Sequence, residues 1–346
     1  MTRALRLSSL VRKVALWVII AFSLAFPLIY LDPTVRTIAV FSLSYVAGAT
    51  AWNLCGFSGY FSFGHATFYG IGSYATVLLA EAWTIPGGYT MFLLIPLAGI
   101  ITALMAVPLG AVALRARHMV FAIVTFALFF IAQQLAFNLD GLTRGARGVG
   151  SPITPWDADF FHIPFYYVAL AVALASVACA FVIHRSKFGL GLRAIRDDED
   201  RALGLGVNTW RTKMIAFTLS AFLSGMVGGI SALFVTSVYP QFAFSGTYNI
   251  TVVLCALLGG MATVFGPAVG ALIIVPVQQY TAIRFGLSGW DNMIYGLLFL
   301  LIVLYLPSGI VPTLAARRLQ RANQVASVDH TEAGHEKPNE TAGVPR

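Results

Sequence analysis

Charge is what this sequence has least of. Only 22 of its 346 residues are Lys or Arg and 14 are Asp or Glu, together 10% of the chain, where soluble domains carry about 25%. Hydrophobic residues make up 58%. So few charges cannot cover a water-soluble globule of this length, and a soluble fold is excluded. Cysteine is scarce as well. Cys55, Cys179 and Cys255 all lie in apolar runs, which excludes a disulfide framework and reads as small buried hydrophobes. Enzymatic signatures are absent: no G-x-x-x-x-G-K-[ST], H-E-x-x-H or G-x-S-x-G, and no Cys pairs at metal spacing. No metal or cofactor site is expected in the chain, and no enzyme activity. The apolar stretches also lack paired carboxylates, the usual mark of ion coupling, so energy is expected to enter from outside this chain.

What is present is a series of long uncharged runs. Val14–Leu31, Thr37–Leu79, Tyr89–Leu114, Met119–Leu139, Ile163–Ile183, Met214–Ile283 and Met293–Ala316 contain no Asp, Glu, Lys or Arg. About 20 apolar residues cross a bilayer as a helix, so the longest runs hold two or more spans. Pro and Gly positions divide them into about ten, at roughly 14–31, 37–55, 62–80, 90–114, 118–138, 164–183, 213–236, 248–264, 267–283 and 292–312. Eight remains open if a Gly-rich segment dips in and returns. With the N-terminus inside, inner loops and tail carry 18 of the 22 basic residues, an asymmetry that favours N-in, C-in and an even number of spans. The fold class expected is all-α, a polytopic transmembrane bundle. Residues 1–13 form a cytosolic lead-in, 14–312 the membrane domain and 313–346 a disordered cytosolic tail. A periplasmic loop covers 139–163, and a cytosolic loop covers 184–211 with one short helix from about Leu192 to Leu203.

Two Gly-rich runs break the apolar pattern, one around Gly56, Gly59 and Gly64 and one around Gly259, Gly260 and Gly266. Glycine there weakens a regular helix and lets backbones approach closely. Broken helices beside a pathway expose backbone groups to polar solutes; tight packing of two helices explains the same glycines equally well. Polar groups inside the spans are the candidates to line a pathway: Asn53, Ser58, Ser62, His65, Gln133, Gln134, Asn249 and Gln278, with Ser220, Ser224 and Gln279. Interhelical hydrogen bonding is the competing reading for each of them.

The runs Ser62-Phe63-Gly64-His65-Ala66-Thr67-Phe68-Tyr69-Gly70, Arg193-Ala194-Ile195-Arg196-Asp197-Asp198-Glu199 and Ala202-Leu203-Gly204-Leu205-Gly206-Val207-Asn208 resemble the permease subunits of branched-chain amino acid ABC importers. So do Phe217–Phe222, Leu258–Gly260, Phe265–Gly270 and Leu306–Ile310, in order, over about residues 35–312. The resemblance implies a second, related permease, two cytosolic ATPase subunits carrying ATP-Mg, and a periplasmic solute-binding protein. It implies that the inside loop, with Arg193, Arg196, Asp197, Glu199, Asp200, Ala202 and Gly204, couples to the ATPases. Arg201 departs from the small residue common in such loops. The outer run Thr143-Arg144-Gly145-Ala146-Arg147-Gly148 is more basic than the family pattern, which leaves urea or another small amide or carboxylate open as the solute. A self-powered carrier or channel is the alternative from another class.

Overall fold

The computed structural model describes residues 22–286 and, beyond them, 293, 296, 297, 300, 301, 304 and 309–314. The start of the first predicted span (14–21), about half of the last and all but the first two residues of the tail lie outside these residues. The rest is helical. The long helices are α1 (Pro33–Gly56), α2 (His65–Ala82), α3 (Leu94–Ala113), α4 (His118–Asn138) and α5 (Ala158–Arg185). Two short helices follow, α6 (Lys187–Asp197) and α7 (Glu199–Gly204), then α8 (Thr209–Val235), α9 (Gly246–Gly259) and α10 (Gly266–Phe285).

Local chemistry fixes the helix starts. Asp32 caps α1 by accepting from Thr34 N at 2.8 Å, with Pro33 in the first helical position, where its missing N–H costs nothing. Ser186, Asp198 and Asn208 cap α6, α7 and α8 in the same way.

Among the described residues, seven stretches are long and apolar enough to cross a membrane: Pro33–Gly56, Tyr89–Ala113, His118–Asn138, Phe160–Arg185, Thr209–Val235, Pro240–Gly259 and Gly266–Arg284. The predicted span at 62–80 corresponds to the helix α2, most of which is buried against other helices. The predicted single stretch at 139–163 is not simply an extended loop. It contains a helical turn at Asp140–Thr143 and a strand β1 (Val149–Gly150) paired antiparallel with β2 (Ser237–Val238), and α5 begins within it.

The centre of the bundle is α8, packed on α2, α3 and α1. Small residues make that possible. Gly72 lies against the backbone of Gly225, Gly228 against that of Tyr69, and Gly225 against Thr102. In lipid, close backbone approach replaces the hydrophobic effect as the source of helix association.

Candidate functional site

One end of the bundle collects the α1–α2 break, the 114–117 turn, α6, α7 and the start of α8, whose Tyr60, Leu114, Ile195, Ala202 and Met214 share one buried cluster. Phe57, Ile183 and Leu192 share one buried cluster there, against which Ala262 and Val264 of the α9–α10 turn pack. The other end carries the Arg144–Glu81 ion pair and the β1–β2 pairing.

The loop at 184–211, expected on the inside, is built as two helices, not the one predicted over 192–203. Asp198 is extended (φ −164°, ψ 112°) and its carboxylate accepts from Asp200 N at 3.1 Å and Arg201 N at 3.0 Å. A residue whose side chain caps a new helix ends the old one. The amphipathic helix α6 buries Gly189, Leu192 and Ile195, and the break at Asp198 turns Glu199 inward.

Glu199 then meets Lys213, the one lysine on α8. Their side chains are 9% and 4% exposed, with Lys213 Nζ 2.6 Å from Glu199 Oε1. Lys213 also donates to Tyr60 Oη at 3.0 Å and lies 4.3 Å from the centre of the Tyr60 ring. Tyr60 donates to the second carboxylate oxygen of Glu199. Burial pushes the Glu199 pKa up, but hydrogen bonds from Lys213 and Tyr60 outweigh it and hold it below its ordinary value. Burial, and then the adjacent carboxylate, push the Tyr60 phenol above its ordinary range, so Tyr60 stays a proton donor.

Magnitudes decide which contact anchors the loop. Removing one partner of a buried pair costs about 3–5 kcal/mol, because a desolvated charge is left alone. The neighbouring Arg117–Asp200 bridge, at 3.1 Å, has side chains 60% and 72% exposed, and solvent screens such pairs almost completely. Glu199 is the anchor. A depressed carboxylate contributes stability above its unfolded pKa, near 4.5, and loses it as pH falls through the folded value. Attachment of the loop, read by trypsin resistance at Arg201, is therefore expected to stay constant between about pH 6 and pH 9.

The anchor reaches the first Gly-rich break. Tyr60 belongs to it, and Gly59 (φ +77°) packs against Arg196 of α6. Left-handed backbone at that point favours glycine. Asn53 joins this break to the second one: its Nδ2 donates to Thr263 O at 2.7 Å and its Oδ1 accepts from Ala262 N at 2.9 Å. Replacing Asn53→Leu leaves both half-buried backbone groups without this partner, at up to about 1–3 kcal/mol each. A fall of several degrees in the melting temperature of the purified chain is the expected outcome.

The chain that folds into this bundle is similar in sequence to known proteins. The family described as branched-chain amino acid transport system / permease component matches residues 34–303. The chain belongs to this family. LivM of Salmonella typhimurium, the high-affinity branched-chain amino acid transport system permease protein, is 26% identical over 332 residues, covering 88% of this chain and 76% of LivM. LivH of Escherichia coli K12, a permease protein of the same description, is 25% identical over 283 residues, covering 74% of this chain and 87% of LivH. The autoinducer 2 import system permease protein LsrC of Klebsiella pneumoniae is 30% identical over 189 residues, covering 53% of this chain and 52% of LsrC. No solved structure matches the chain.

In this permease the residues predicted for the inside loop fall into two groups. Glu199 and Ala202 are buried on the bundle side, whereas Asp197, Asp200 and Gly204 are exposed. Arg193 reaches toward His184, and Arg196 contacts Asp197 and covers Gly59. Among the predicted pathway residues, Ser58 donates to Cys55 O, Ser62 accepts from Gly64 N, Gln133 donates to Phe244 O and Gln278 bonds Thr251. Gln134 is exposed on α4. His65 and Asn249 are buried in the centre of the bundle. Gly64 lies against the Thr125 backbone, Gly56 beside Asn53, and Gly259, Gly260 and Gly266 pack on one another.

The sequence reading missed Lys213 and Tyr60. Lys213 counts as an inside-loop charge by composition, yet it sits in the second turn of α8 at 5% exposure. One signal pointed to it: it is the last charged residue before a run without charge that extends to Ile283.

Proposed function

We propose that this chain is one permease subunit of an ATP-driven, binding-protein-dependent importer that moves branched-chain amino acids across a bacterial inner membrane. A second, related permease, two cytosolic ATPase subunits that bind ATP-Mg and a periplasmic binding protein complete it. The α6–α7 end faces the cytosol, and ten spans with both termini inside fit the excess of Lys and Arg at that end. The family match supports the transport role, and the similarity to both LivM and LivH supports pairing of two related permeases.

The observation that carries the reading is the lock between Glu199, Lys213 and Tyr60. A loop moved by an ATPase transmits force only if it is fixed to the body it must move, and α7 is fixed to α8 and to the first break. Its outer side is free to dock. Leu203 is 57% and Leu205 83% exposed, and nothing lies within 4 Å of the Cβ position at Gly204. Exposed leucines at the aqueous end of a membrane helix bundle form a surface that a soluble partner covers.

Docking is tested by co-purification of the two ATPases. Gly204→Trp adds bulk into open space, so the permease is expected to insert and melt as wild type while ATPase recovery falls to background. Normal recovery would place the docking surface elsewhere. Glu199→Lys, by contrast, acts by unlocking α7, since Glu199 faces the bundle. Uptake of leucine by the lone chain in liposomes under an ion gradient, without ATP, would establish the self-powered reading instead. Uptake of urea but not leucine by the complete importer would establish the alternative solute.

A further inference from the structure

The helix α4 meets the rest of the bundle along a narrow stripe. It buries only Phe121, Thr125, Phe129 and Ala136. Two hydrogen bonds tie it to its neighbours: Phe63 N donates to Thr125 Oγ1 at 3.1 Å, and Gln133 Nε2 donates to Phe244 O at 2.7 Å. Beside that stripe α4 stands away from α2 and α3 and leaves a cleft of about 420 Å³. Ile71 and Leu78 of α2, Ile101 and Pro108 of α3, and Leu135 and Leu139 of α4 are among its walls. Among the described residues, no Asp, Glu, Lys or Arg lines it. The hydroxyls of its wall residues are withdrawn from it. Thr67 Oγ1 and Tyr74 Oη are buried, and Thr143 Oγ1 donates to Ala136 O at 2.6 Å. Walls of this kind offer water and charged groups nothing to bind.

Length and charge narrow the choice of occupant. On α2 the cleft runs from Thr67 to Leu78, about 16 Å at 1.5 Å per residue. That is half of a hydrocarbon core about 30 Å thick, the depth of one leaflet. The cleft reaches the end of the bundle that carries Arg144, where Leu139, Leu142 and Thr143 form its rim. Asp140, Arg144, Ala146 and Arg147, interleaved with and following that rim, border a second hollow of about 440 Å³. Two guanidiniums stand there against one carboxylate. Arg144 pairs with Glu81, both about half exposed, whereas Arg147 makes no ion pair among the described residues.

We propose that the cleft and the hollow together hold one phospholipid, with an acyl chain between α2, α3 and α4 and the phosphate on Arg147 and Arg144. Hydrocarbon walls accept such a chain and reject the charged ends of an amino acid, which would lose water without gaining partners. A cleft one leaflet deep fits a chain that enters from one side of the membrane. Arginine presents a planar fork of donors to phosphate, and basic pockets between membrane helices bind anionic headgroups. The bound chain supplies the packing that the outer half of α4 does not obtain from protein. The site holds whichever solute the permease moves.

The test places the full chain in phosphatidylcholine vesicles with a trace of phosphatidylglycerol whose acyl chain carries a diazirine. After irradiation, adducts are mapped by peptide mass spectrometry. They are expected to concentrate on residues 101–109 and 132–142, and unlabelled phosphatidylglycerol is expected to displace the probe. Diacylglycerol with the same diazirine chain lacks the phosphate and is expected to label the cleft about fivefold less, the scale of one arginine at a membrane surface. Arg147→Gln, at an exposed position, is expected to lower phosphatidylglycerol labelling by a similar factor. Leu135→Trp fills the cleft from a position 53% exposed; the variant is expected to melt as wild type and to label at background. Adducts spread evenly over the outward faces of all the helices, as ordinary bilayer lipid gives, would overturn the site. Equal labelling by diacylglycerol, or labelling that neither substitution changes, would overturn it too. So would labelling abolished by a co-reconstituted second permease, which would make the cleft an interface between subunits.

Discussion

Lys213→Met is expected to reduce ATP-driven uptake to about a hundredth of wild type or less. The substitution keeps the length and most of the volume of the side chain, so the loss is electrostatic. Glu199 would be left at 9% side-chain exposure without its cation. A buried carboxylate that loses its partner costs about 3–5 kcal/mol, and about 3 kcal/mol is already a factor above 100 in a local equilibrium. The protein avoids the cost by releasing α7, which carries Glu199 into water. Trypsin cleavage at Arg201 is the direct readout of release, and uptake is the functional one. The double variant Lys213→Met with Glu199→Met removes both charges together. Replacing a whole buried pair by apolar residues is often neutral or stabilising, so the double variant is expected to recover trypsin resistance. Recovery in the double but not the single variant separates charge pairing from packing.

Gly72→Leu is expected to abolish accumulation of folded permease in the membrane. A Cβ at position 72 would run into the backbone of Gly225, and backbone cannot rotate aside as a flexible side chain does. Overpacking costs about 1–3 kcal/mol where side chains can adjust, and more where they cannot. Here α2 and α8 would have to separate along the seam that Gly72, Gly225 and Gly228 create. The check is size-exclusion chromatography of the detergent-solubilised variant, expected to show aggregate in place of a single peak. Gly204→Leu is the matched control, since open space surrounds that position, and it is expected to elute as wild type.

Most of the membrane architecture is legible in the sequence because lipid imposes one rule on every exposed helix. Runs such as Tyr89–Leu114 and Met119–Leu139 coincide with helices within a few residues for that reason. The rule weakens where protein replaces lipid. The centrally buried α2 is read as a span at 62–80, but its burial among other helices is not. The loop at 184–211 is legible as amphipathic, but the break at Asp198 is not, because a cap competes with helix continuation locally and neither residue type forbids the other. Lys213 is hidden for a different reason. A basic residue at the start of an apolar run is usually a topology marker, and only the three-dimensional approach of Tyr60 and Glu199 turns it into half of a buried pair. Asn53 and His65 are both visible as polar residues in spans. Their partners, the Thr263 carbonyl and Ser220, lie more than 150 positions away and carry no local mark.

The central claim is that α7 presents its exposed side to a cytosolic motor while Glu199 fastens it from within. Leu205→Cys, at a position 83% exposed, tests it most directly with a membrane-impermeant maleimide, the native thiols being buried or half-buried. Labelling in inside-out vesicles only, suppressed when the two ATPases are bound, is the predicted result. Labelling in right-side-out vesicles, or labelling that bound ATPases leave unchanged, would contradict the account.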